Sequence, residues 1–274
     1  MTGARMPALV LDEADFCLCR DWLRAAAGVE LPPSRKPFVA GRLARRVAEL
    51  GLAGFGPYLH RLREDPAEHA RALDLLLSHE TRFFRDPGPL LWLRDRLRAR
   101  VVRAAPARVW SAGCSTGQEA YSIAMVLDDA LGPAGWEVLG SDLSLRVLQR
   151  AREAAYDLPA CSELPPAWFQ RYARIGHGEQ AGRFRMVPTL VSRVRFEPLN
   201  LIGPWPALGR FDAIFLCNVL CHLTADVRRS LVPRLLGCLG PGGALVLGAA
   251  ETLPEPLPPL MRAVPSVYVL RPGG

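Results

Sequence analysis

The strongest constraint on this chain is a change of rhythm near Pro106. Beyond it, short apolar runs alternate with longer amphipathic ones. Residues 108–111 read as a buried strand, 119–131 as a helix, 136–140 as a strand and 144–155 as a helix. The pattern resumes with a strand over 211–216, a helix over 224–239 and a strand over 244–247. Strands that alternate with helices need crossover connections, so the spacing predicts an α/β fold with a parallel, doubly wound sheet. One stretch departs from it. Between 183 and 196, Phe184, Met186, Val191, Val194 and Phe196 are spaced as in short strands, which predicts a small antiparallel insertion at about 173–197. The Pro-rich run 254–259 reads as a loop.

The first hundred residues follow a different period. Asp12 or Asp15 is placed to cap a helix carrying Phe16, Trp22 and Leu23. Phe38, Leu43, Val47 and Leu50 recur at helical spacing, as do Leu73, Leu76 and Leu77 after Pro66. These features predict a helical N-terminal domain over 1–78, a polar linker and helix over 79–105 ending near Ala104, and an α/β domain over 106–274.

Composition enters where it excludes classes. Hydrophobic residues make up 50% of the 274 and charged residues 22%, enough apolar material for a large core and too much for a disordered chain. Seven cysteines, an odd number scattered from Cys17 to Cys238, form no paired framework. Together with the lack of a secretory or membrane-spanning apolar run, they predict a cytoplasmic protein with reduced thiols and no membrane insertion. Cys217, Cys221 and His222 lie close together, but a structural zinc site needs a fourth ligand, so no metal is expected. All basic residues except Lys36 are arginines. Before residue 106 there are 18 basic against 13 acidic residues, and from there on 16 against 14, so most of the excess sits on the helical part. Such a surface attracts acidic partners by long-range steering.

The first strand of the α/β part runs into Ala112-Gly113-Cys114-Ser115-Thr116-Gly117 and then a helix. Glycine lets the backbone approach a ligand, and a helix N-terminus offers free amides. The second strand ends in Ser141-Asp142, with Asp142 25 residues beyond Gly117, where a nucleotide-binding unit places its ribose-binding acid. The loop lacks the dinucleotide glycine spacing and has no Lys-Ser or Lys-Thr for a triphosphate. Glu119, just past it, opposes a pyrophosphate and suits a cation, as in S-adenosylmethionine with its sulfonium and ammonium groups.

Several ordered motifs resemble the chemotaxis receptor methyltransferases. They are the run from Arg108 to Ser122, Thr81-Arg-Phe-Phe-Arg-Asp86, Phe211-Asp-Ala-Ile-Phe-Leu-Cys-Asn-Val-Leu220 and Leu239-Gly-Pro-Gly-Gly-Ala-Leu-Val-Leu-Gly248. Arg42-Leu43-Ala44-Arg45-Arg46 and Phe55-Gly56-Pro57-Tyr58-Leu59 look like the family's second and third helices, so the resemblance covers nearly the whole chain. It implies a Rossmann-like domain that transfers the methyl group of S-adenosylmethionine to glutamates on chemoreceptor cytoplasmic helices, leaving S-adenosylhomocysteine. By the same resemblance His79, Thr81, Arg85, Gly113, Glu119, Asp142, Asn200, Leu201 and Asn218 contact the cofactor, and Arg85 lies beside the transferred methyl. Arg45 and Arg46 lie on the helix that faces the acidic receptor helix. The chain departs from the family pattern at Cys217, where the family has Arg, at His222, where it has the active-site Tyr, and at His79, where Asn is common.

Methyl transfer to an ionised glutamate needs no general base, which leaves alignment and electrostatics to Arg85 and His222. A second reading keeps the same fold as a regulator that binds the cofactor or its product without transfer. A nucleic-acid methyltransferase lacks support, since no Asp/Asn-Pro-Pro-Tyr amine site is present. A monomer without nucleic acid is expected.

Overall fold

The first helix, α1 (Glu13–Ala27), starts where Asp12 folds its carboxylate back onto the amide of Asp15 at 2.7 Å, and it stops at Gly28 in the left-handed region (φ 69°). The computed structural model describes residues 9–99, 105–253 and 260–271. A compact unit closes at Ser78 and a second begins at His79. In the first, α1 is followed by α2 (Lys36–Glu49), α3 (Phe55–Glu64) and α4 (Pro66–Leu76), the last capped by Asp65. Each helix turns one apolar stripe inward, with Phe16, Leu23, Val39, Leu43, Val47, Phe55, Leu62 and Leu73 buried.

The second unit begins with the stretch expected as a linker and helix. Its helix α5 (Pro87–Arg98) places Leu90, Leu93 and Leu97 in the apolar core of the α/β part, so the described portion of this stretch is part of that unit. The end expected near Ala104 lies outside the described residues, as does the Pro-rich run 254–259.

The chain then alternates β1 (Ala107–Ala112), α6 (Gln118–Leu131), β2 (Trp136–Asp142), α7 (Leu145–Glu153) and a short β3 (Ala155–Asp157). After α8 (Pro166–Tyr172) come β4 (Ala173–Ile175), β5 (Arg183–Met186), α9 (Pro188–Val191) and β6 (Val194–Pro198). The last third holds β7 (Phe211–Leu216), α10 (Ala225–Gly237), β8 (Leu239–Leu247), β9 (Leu260–Val264) and β10 (Val267–Leu270). Seven strands form one sheet in the order β6-β2-β1-β7-β8-β10-β9, parallel from β6 to β8, with β10 antiparallel to β8 and β9. Right-handed crossovers then put α6 and α7 on one face and α10 on the other. This is the doubly wound, Rossmann-like architecture that the alternation predicts.

The small antiparallel sheet exists, with a different membership. Its order is β3-β5-β4, so it takes in Ala155–Asp157 at what was expected to be a helix end. Helix α7 stops short because Ala154 adopts a left-handed conformation (φ 52°). Val194 and Phe196, expected in the insertion, instead lie on β6 at the edge of the main sheet, where Phe196 pairs with Gly140. A Cβ on Gly140 would sit 2.6 Å from the Phe196 ring, so the bare glycine makes the room that draws β6 against β2.

Candidate functional site

In a parallel sheet all carboxyl ends lie along one edge, and the order of connection reverses between β1 and β7. Ligands bind in such folds at that reversal. The turn after β1 is shaped for it. Gly113 has φ 81°, and a Cβ there would meet Val219 Cγ2 at 2.7 Å, so the loop after β7 packs directly on its backbone. The amides of Gly113 and Cys114 both donate to Ser141 O, at 2.8 and 2.9 Å, tying the turn to the end of β2. Ser115, left-handed at φ 50°, aims its amide at Asp142 Oδ2 (2.9 Å) and its hydroxyl at His79 O (2.9 Å). The amide of Ser144 occupies Asp142 Oδ1 at 3.0 Å. Backbone amides, those of Ser115, Ser144 and Leu143, are thus what hold this carboxylate, and an ionised carboxylate offers about four lone-pair sites, so capacity is left for a ribose hydroxyl.

Glu119 stands on the first turn of α6 and receives the Ser111 hydroxyl at 2.6 Å on Oε1. Its burial pushes its pKa above the ordinary 4.5, the Ser111 and Cys217 hydrogen bonds pull it down, and the nearby charge of Arg85 also lowers it. Asp142 likewise rises above 3.8 because of burial, partly offset by its backbone hydrogen bonds and by His79. Burial and the neighbouring Glu119 also push the Cys217 thiol up, so it stands beside the carboxylate as a neutral donor. Glu119, Asp142 and Cys217 sit deep in the unit and each keeps part of its surface open to solvent, the pattern of groups lining a crevice. A separate depression of about 370 Å³ beside β6, lined by Tyr121, Arg152, Phe196 and Glu197 among others, does not include them.

The stretch before α5 is held by two buried rings. Phe83 packs edge-on to Tyr156 at 5.0 Å, and Phe84 does so to Trp168 at 5.1 Å while its amide donates to Ser122 Oγ at 3.0 Å. On either side of these anchors in the chain lie Thr81, half-buried, and Arg85, exposed. Arg85 Nη1 donates to Glu80 O at 3.3 Å, and its Nη2 lies 3.8 Å from the Glu80 carboxylate. Asn200 closes a turn by accepting from the amide of Ile202 at 3.1 Å, and the amide of Leu199 reaches Asp142 O at 3.0 Å, which carries Asn200 and Leu201 to the β2 end of the crevice. The loop after β7 bears Cys217, Asn218 in the left-handed region (φ 59°) and a single 3-10 turn, Leu220–His222, on which His222 is exposed.

The sequence reading missed three contributors here. Ser111 and Ser115 orient the two acids, and Val219 sets the floor against Gly113. All three lie inside the quoted motifs, so their positions were in view while their roles were not.

Residues 79–266 match the family model described as CheR methyltransferase, SAM binding domain, and residues 14–77 match CheR methyltransferase, all-alpha domain. The chain belongs to the CheR methyltransferase family. It is 35% identical over 251 residues to chemotaxis protein methyltransferase 1 of Pseudomonas aeruginosa, covering 88% of this chain and 90% of that protein. It is 36% identical over 248 residues to the chemotaxis protein methyltransferase of Escherichia coli, covering 89% and 86%. The cofactor of this CheR methyltransferase is S-adenosylmethionine, and the crevice suits it: Glu119 offers an anion to a cationic ligand, and Asp142 offers acceptors to a ribose.

On the all-alpha domain of this CheR methyltransferase, the two arginines expected at a receptor surface separate. Arg45 projects with 88% of its side chain exposed and a surface contact to Glu49 at 2.9 Å. Arg46 points into the helical unit. Its Nε reaches both Glu68 oxygens at 3.1 and 3.0 Å, its Nη2 also bonds Glu68, and its Nη1 bonds Glu49 at 3.1 Å. Arg42, with Arg35 just before the helix, flanks the Phe38 ring, at 5.2 and 5.4 Å, so the outer face of α2 runs Phe38, Arg42, Arg45. Among the described residues no helix is long and apolar enough to cross a membrane.

Proposed function

We propose that this methyltransferase esterifies glutamate side chains on the cytoplasmic helices of chemoreceptors. The observation that carries the reading is a crevice with two deep-set carboxylates, in a chain whose relatives are named chemotaxis protein methyltransferases. Bound S-adenosylmethionine supplies a methyl carbon already activated by its sulfonium. A glutamate near neutral pH is already ionised, so this chain's work is to bind, align and partly desolvate.

In this reading Glu119 and Asp142 hold the cofactor's ammonium and ribose, with His79, Thr81, Gly113, Asn200, Leu201 and Asn218 completing its walls. Arg85 turns from Glu80 to orient the incoming carboxylate by a forked contact. His222, exposed on its turn, supplies a ring N–H to that carboxylate where the family has Tyr. Arg42 and Arg45 on the outer face of α2 dock the acidic receptor helix, and Arg46 is reserved for Glu68. Incubating the protein with methyl-labelled cofactor and a receptor cytoplasmic fragment tests the reading. Base-labile methyl ester on the receptor is the expected product. Tight cofactor binding without ester would make the protein a regulator instead.

A further inference from the structure

Glu251 has no part in the roles above, yet the most irregular loop of the crevice is built on it. It is 7% exposed and follows β8. Its Oε2 accepts the amides of Asn218 and Gly248, both at 2.8 Å, and its Oε1 accepts the amide of Cys221 at 3.0 Å. Asn218 is the left-handed residue of the β7 loop, a conformation that costs a non-glycine residue free energy unless its surroundings hold it. Cys221 sits in the 3-10 turn immediately before His222. Gly248 completes the arrangement, because a Cβ there would lie 2.9 Å from both Glu251 Oε2 and Asn218 Nδ2.

Amides turned inward by a tight turn need partners. The two oxygens of one carboxylate here satisfy three of them. The negative charge of Glu251 also reaches Glu119 and Cys217, whose pKa values it helps to raise. Nothing in this arrangement needs Glu251 to touch cofactor or acceptor.

We propose that Glu251 is a positioning residue for methyl transfer, clamping the β7 loop through its backbone so that Asn218 and His222 meet the reacting groups. The proposal rests on the function proposed above for those two residues. Glu251→Gln keeps the size of the side chain but presents an NH2 group to amides that need an acceptor, so part of the clamp must open. Glu251→Asp keeps the charge and withdraws the oxygens by one methylene.

The test compares the full chain with both variants. Calorimetric titration with S-adenosylhomocysteine counts folded binding sites, receptor methylation gives kcat per counted site, and amide NMR follows Asn218, Cys221 and Gly248. In Glu251→Gln the three amide signals should move upfield, and kcat per site should fall by about tenfold or more, beyond any change in cofactor affinity, as expected when a supporting contact is lost. Glu251→Asp should recover part of that rate. A kcat per site within about twofold of the parent, or amide signals that stay in place, overturns the proposal. If Glu251→Gln binds no product, Glu251→Asp is read by the same criteria. If the parent itself methylates no receptor, the functional reading fails while the amide signals still decide whether Glu251 clamps the loop.

Discussion

Two kinds of buried carboxylate divide the molecule. In the helical unit Glu68 is 4% exposed, and Arg46 grips both of its oxygens, which holds its pKa below the ordinary 4.5. In the α/β unit Glu119 and Asp142 are deep-set but take their hydrogen bonds from a hydroxyl, a thiol and backbone amides, and burial carries both pKa values upward. A carboxylate already matched by a guanidinium is a strut. One held by neutral donors in a crevice keeps its attraction for a cation, and the protein bears the desolvation until that cation arrives.

The sharpest way to break this contrast is Glu119→Gln. S-adenosylmethionine affinity should fall by roughly the 1.5–3 kcal/mol of a charged hydrogen bond, while the melting temperature without cofactor rises at neutral pH. Calorimetry and thermal melts check both, and a lower melting temperature would remove Glu119 from the strained class. Arg46→Ala should do the reverse, costing about 2 kcal/mol by leaving Glu68 short of partners, with cofactor affinity unchanged. Urea unfolding and the same titration read the two.

The contrast also predicts pH effects of opposite sign. Glu68 has a lowered folded value, so its contribution to stability is present above pH 4.5 and lost as pH falls through that lowered value. Glu119 and Asp142 have raised folded values, so theirs is fully present below 4.5 and 3.8 respectively and lost as pH rises through the raised values. Hydrogen exchange corrected for intrinsic rates should therefore show the α/β unit gaining protection from neutral pH toward 4.5, and the helical unit losing it only below. Parallel slopes in the two units would erase the distinction. The smallest effect belongs to Arg45→Glu: stability within about 0.5 kcal/mol, as for an exposed position, and receptor methylation slowed severalfold. An unchanged methylation rate would take Arg45 out of the docking face.

The main sheet was legible because strands buried on both faces read as apolar runs set between helices, and Asp142 was legible because it ends one of them. Short strands carry no such signature of partner. Val194 and Phe196 alternate as they would in either sheet, and the room that Gly140 leaves for the Phe196 ring favours the large one. Arg45 and Arg46 looked equivalent in the sequence, yet neighbours on a helix point about 100° apart, which gives one to solvent and the other to Glu68, 22 residues away. Glu251 left no trace at all, because what it recognises is three backbone amides, which every residue type but proline supplies.

The strand order has a consequence for how the crevice comes into being during synthesis. β1, β2 and β6 precede β7 in the chain and occupy one half of the sheet, so every strand of the wall bearing Glu119 and Asp142 is synthesised before the opposite wall. Until β7 pairs with it, β1 has a bare edge. Glu251 comes later still, after β8, so the loop it clamps is the last part of the crevice to acquire its support.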